Sequence, residues 1–99
     1  MDTTEESLKV VLGEDHPSTL SSMNNLANTL GDLGQYEKAL ELHLLVLEKR
    51  KVILGEDHPD TLSAMNNLAN TLDDLGEYQK ALELKQTVLE KRKKIFGED

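Results

Sequence analysis

The chain has no cysteine, which excludes disulfides and thiolate chemistry and fits a reducing compartment. Aromatic residues are scarce: two Tyr, one Phe and no Trp, too few to build a base-stacking platform. No apolar run approaches the ~18 residues that a membrane-spanning helix needs. The opening Met1-Asp2-Thr3-Thr4-Glu5-Glu6 has none of the basic and apolar character of a signal peptide. Positive charge is also short, with 11 Lys and Arg against 19 Asp and Glu and a net charge of −8. Nucleic acid and anionic lipid surfaces call for a cationic face and are excluded as partners. There is no Gly-rich phosphate loop and no nucleophile elbow. The expectation is a cytoplasmic, intracellular protein that is not an enzyme and needs no cofactor.

What the chain does have is the same text twice. Residues 12–53 and 54–95 align without a gap over 42 positions and differ at nine: Ser18/Asp60, Ser22/Ala64, Gly31/Asp73, Gln35/Glu77, Glu37/Gln79, His43/Lys85, Leu44/Gln86, Leu45/Thr87 and Val52/Lys94. A fixed period of this size marks a solenoid, in which each unit buries its apolar face against the next. Hydrophobic content of 37% with 30% charged residues suits a folded helical chain and not a disordered one.

Within the second unit, Leu54-Gly55-Glu56-Asp57-His58-Pro59 is punctuation. Proline keeps the preceding residue out of the helical region and suits the first helical position, so His58 is the predicted N-cap and Pro59 the helix start. Leu62, Met65, Leu68, Ala69, Leu72 and Leu75 then recur at spacings of three and four, one face of an amphipathic helix. Gly76 is the stop. A second helix begins at Tyr78, with a stripe of Tyr78, Ala81, Leu82, Val88, Leu89 and Ile95. The spacing predicts helices over 17–33, 36–54, 59–75 and 78–96 and no strand. Residues 1–11 read as the partial helix of a preceding unit, with Thr3 and Glu6 at capping-box spacing. Residues 12–53 are then a first repeat and 54–99 a second, together one domain.

These residues resemble the tetratricopeptide repeat, a two-helix unit of roughly 34 residues. Met23, Leu26, Ala27, Leu30, Gly34, Tyr36 and Ala39 stand at that pattern's positions, as do Met65, Leu68, Ala69, Leu72, Gly76, Tyr78 and Ala81. The longer period is similar to the 42-residue variety of kinesin light chains and of arrays in NTPase-type immune receptors. His43 and Lys85 depart from the bulky apolar residue often found there. The resemblance implies an all-α, right-handed superhelical solenoid of tandem helix-turn-helix repeats. Its concave wall is built from the first helix of each pair.

At about 100° per residue, Ser21, Asn24, Asn28 and Gly31 share the polar side of the first such helix, opposite Leu20, Met23, Leu26, Ala27 and Leu30. Ser63, Asn66, Asn70 and Asp73 are their counterparts, with Asn25 and Asn67 at the flank. A carboxamide offers a donor and an acceptor, so stacked asparagines can hold the backbone of an extended peptide with little regard to its side chains. The peptide-binding candidates are therefore Ser21, Asn24, Asn25, Asn28, Ser63, Asn66, Asn67 and Asn70. The alternative is that Asn25 and Asn67 satisfy neighbouring backbone groups between helices and that the others are simply solvated. Neither first helix carries Lys or Arg, so the wall lacks a clamp for a carboxylate and favours a neutral or basic partner protein or peptide.

Glu56-Asp57-His58 and Glu14-Asp15-His16 have metal-ligating side chains, but three consecutive residues cannot converge on one ion without contortion. Capping and negative charge at a helix N-terminus explain them instead. The basic runs at Lys49-Arg50-Lys51 and Lys91-Arg92-Lys93-Lys94 close helices, where cations oppose the dipole. His43 falls on an inward face as a packing histidine, and Tyr36 and Tyr78 pack at the turns. A second functional reading is a self-assembling repeat fragment with no ligand of its own. It would associate head to tail or by exchange of a helix pair, with Val88, Leu89 and Ile95 uncovered at one end.

Overall fold

Proline sets the start of the first helix of each pair. In this computed structural model, which describes residues 15–97, α1 runs Pro17–Asp32, α2 Tyr36–Leu54, α3 Pro59–Asp74 and α4 Tyr78–Phe96. The expected fragment at 1–11 and its Thr3/Glu6 cap lie outside the described residues. His16 and His58 are the N-caps of α1 and α3, and each accepts at Nδ1 from the backbone N–H two residues on, at 3.0 Å. Histidine thus does the work usually given to Ser or Asp, and Pro at the next position loses nothing because its missing N–H would have no helical partner.

The turn inside each pair is equally determined. Gly34 and Gly76 have φ of +82° and +84°, a conformation that costs other residues. There Gln35 N–H donates to Leu30 O and Glu77 N–H to Leu72 O, both at 2.8 Å. These bonds satisfy carbonyls that a helix end leaves open, in the Schellman arrangement. The chain reverses in three residues, and the two helices of a pair pack antiparallel.

Each helix packs on the next in sequence, and α1 also touches α3. Only helices occur among the described residues. The core is a layer of Leu20, Met23, Val46, Leu47, Leu62, Ala64, Met65, Leu68, Ala69, Leu72, Ala81 and Val88. α3 sits between α2 and α4 and is the most deeply buried helix, hidden on both flanks through Thr61, Ala64, Leu68 and Leu72. At two of the nine differing positions one of the two residues is fully buried. Ala64 is buried where Ser22 is half-buried, and His43 is buried where Lys85 is exposed. The other replacements are exposed or half-buried in both units.

Identical residues meet different fates. Leu47 in α2 is 5% exposed beneath α3, whereas its counterpart Leu89 in α4 is 55% exposed. Leu82, Ile95 and Phe96 are exposed on the same helix. Val88, expected to lie uncovered, is buried at 3%, because it belongs to the part of α4 that faces α3. Tyr36 is half-buried at its turn, but Tyr78 is 68% exposed and is not a packing residue here.

Candidate functional site

The polar faces of α1 and α3 lie side by side. Ser21, Asn28, Ser63 and Asn70 are exposed there, and Asn24 and Asn66 are half-buried. Asn67 Nδ2 donates to Asn24 Oδ1 at 3.0 Å, 43 residues apart. One carboxamide of the second unit is therefore locked to one of the first. With its oxygen engaged, Asn24 keeps its N–H groups for other partners, and Asn67 keeps its oxygen. Asn67 thus bridges units through a side chain and not through backbone. Asn25, its counterpart in the first unit, is exposed.

Beside this pair is a cleft of about 200 Å³. Asn28 and Asp32 line it from α1, His43 from α2, and Asn67, Asn70 and Asp74 from α3. Gly31 opens it further, since a Cβ there would meet nothing within 4 Å. His43 is only 2% exposed, and its Nδ1 has no hydrogen-bond partner. Burial pushes its pKa below the usual histidine value, so the ring is neutral near pH 7. At the corresponding place one unit on, Gly31 and His43 are replaced together. Asp73 and Lys85 stand there and pair at 2.6 Å.

The residues with metal-ligating side chains are committed elsewhere. His58 caps α3, and Asp57 pairs with Lys91 at 2.6 Å. Asp15 pairs with Lys49 at 2.7 Å. The bond to Asp57 raises the pKa of Lys91. The lysines of the basic runs thus reach back 34 residues to hold their own linkers, beyond the dipole role that sequence position suggests. Arg50 has a role that sequence reasoning missed. It is buried against the second unit, where Nη1 donates to Asp60 O at 3.0 Å and its own carbonyl accepts from Thr61 Oγ1 at 3.3 Å. Its only sequence signal is a Thr placed two residues after the proline in both units.

No helix among the described residues is long and apolar enough to cross a membrane. A search of the curated proteins finds no match. Among solved structures, the chain is similar to a protein of Podosopora anserina described as a kinesin light chain with nearly identical TPR-like repeats. The similarity is 30% in sequence, with a TM-score of 0.79, and covers 90% of this chain and 43% of that one. A variant of the same protein matches with the same identity and TM-score over 42% of its length. The chain therefore spans less than half the length of these structures. The tetratricopeptide repeat family matches over residues 4–51 and again over 18–94. Two copies of a helix pair, closed by the same glycine turn and covered almost end to end by that match, make the chain a member of the tetratricopeptide repeat family.

Proposed function

We propose that this chain is a protein-interaction module that binds an extended, neutral or basic peptide segment across the polar faces of α1 and α3. Tetratricopeptide repeats mediate protein–protein interaction, and the residues here suit a binding surface more than a catalytic one. The observation that carries the reading is the Asn67–Asn24 bond. It fixes two carboxamides in the middle of a face whose remaining polar groups, Ser21, Asn28, Ser63, Asn66 and Asn70, are free to meet backbone N–H and C=O groups of a ligand. The same face carries Asp32 and Asp74 and no Lys or Arg of its own, Asp73 being paired with Lys85 of α4, which favours cations over carboxylates. Affinity should be weak, because a short groove without Trp or Arg lacks the usual anchors.

The test is a fluorescence-polarisation screen with labelled peptides graded in net charge. Replacement of Asn24, Asn28, Asn66 and Asn70 together by Ala should remove binding and leave helicity by circular dichroism intact. Binding that survives this change, or that strengthens with peptide negative charge, would overturn the reading.

A second reading has its own support. The Leu82–Leu89 face of α4 is the counterpart of the α2 face that α3 covers, so a first-type helix from another copy fits it. Sedimentation across a range of concentrations tests this, and a monomer throughout would reject it.

A further inference from the structure

We propose that the cleft between α1 and α3, floored by His43 and rimmed by Asp32 and Asp74, is a pocket for a guanidinium or ammonium side chain of the bound segment. For its biological ligand this rests on the groove reading above, which it narrows to a segment carrying Arg or Lys.

Three observations converge. The first is the lining. Ionised carboxylates are acceptors only, the carboxamide oxygens of Asn28 and Asn70 add two more acceptors, and no Lys or Arg lines the space. The second is His43, whose buried Nδ1 has no partner. A neutral imidazole nitrogen left without a partner is costly when buried, and the ring that carries it lines the cleft. The third is the second unit, where the same two positions hold a carboxylate and an ammonium in contact, Asp73 and Lys85. That unit carries its own cation. The first unit has Gly31 and His43 instead, so the cation is gone and space stands in its place. A cleft of about 200 Å³ is several times the ~30 Å³ share of one liquid water, room for a planar guanidinium. Such a group presents five donors to acceptors spread around it.

The experiment uses the whole chain and two small probes, N-acetyl-argininamide and its neutral near-isostere N-acetyl-citrullinamide, followed by NMR. The side-chain amides of Asn28 and Asn70 and the ring nitrogens of His43 should shift saturably with the arginine probe. Citrulline should bind about tenfold more weakly, as should the arginine probe to the Asp32→Asn/Asp74→Asn variant, the size expected of two partly solvated carboxylates. Gly31→Asp with His43→Lys, which installs the pair already present in the second unit, should abolish the shifts while the helical spectrum persists. Equal response to both probes, shifts centred elsewhere, no shifts at all, or binding unchanged in the Asp variant would overturn the pocket. Neither probe is long enough to span the asparagine face. Loss of peptide binding with the arginine probe retained would sink the groove alone, and peptide binding without these shifts would sink the pocket alone.

Discussion

Arg50 and Arg92 sit in the same pentapeptide, Leu-Glu-Lys-Arg-Lys, at the same point of α2 and α4, yet only Arg50 is covered by a further helix pair. Its guanidinium donates to Asp60 O at 3.0 Å with the side chain 9% exposed. A hydrogen bond from a charged group contributes about 1.5–3 kcal/mol net, and deletion leaves the partner carbonyl short of a donor. Arg50→Met keeps most of the apolar stem, so the loss should come from that bond. The expected destabilisation is about 2 kcal/mol. Arg92→Met removes the same atoms from a half-buried site with no pair above it, where a change within about 0.5 kcal/mol is expected.

For a chain of this size, about 2 kcal/mol lowers Tm by roughly 8–16 °C. Thermal melts of the two variants, followed by far-UV circular dichroism, therefore resolve the difference easily. The bond crosses the seam, and solenoid stability is carried by interfaces between neighbouring units. Urea unfolding of Arg50→Met should then also be less cooperative than that of Arg92→Met. Equal losses in the two variants, or a loss at Arg50 no larger than at Arg92, would refute the idea that cover and not local sequence gives this residue its weight.

That contrast also explains what the sequence could reveal. Helix positions were legible because their determinants are local: Pro17 and Pro59 at the starts, Gly34 and Gly76 at the turns, and apolar spacing between them. The ends agree to within a residue. The polar face with Asn24, Asn28, Asn66 and Asn70 followed from the same periodicity. What was not legible depends on the register between units. The bond from Asn67 to Asn24 spans one period plus one residue, and nothing inside a single unit specifies that offset. Leu47 and Leu89 are one residue type in one context, and only the presence of α3 separates them. The replacements Ser22/Ala64 and His43/Lys85 were visible as differences. Their meaning needed the fold, since Ala64 is small and buried in it and His43 forms the floor of a cleft.

Two further perturbations test the same physics. Burial depresses the pKa of His43 in the folded chain, so the unfolded chain binds the extra proton more readily. The stability associated with this neutral ring is fully present above the unfolded histidine value of about 6.5 and is lost as pH falls from there toward the lower folded value. His43→Gln should flatten the dependence of Tm on pH between about 7.5 and 5 relative to the parent, a range set by that histidine value. An unchanged slope would show that the ring is not desolvated. The glycines of α1 and its turn should respond in opposite directions. Gly31 is within the helix and an added Cβ meets nothing within 4 Å, so Gly31→Ala removes unfolded-state freedom without strain and should stabilise by about 0.5–1 kcal/mol. Gly34 has φ +82° and equally open surroundings, so nothing but backbone conformation resists a side chain there. Gly34→Ala should therefore destabilise by about 1–2 kcal/mol, the cost of holding an L-residue left-handed. Because space is open at both positions, sterics cannot produce the difference. Melting temperatures that move the same way for both variants would mean that the turn does not impose its backbone geometry on Gly34.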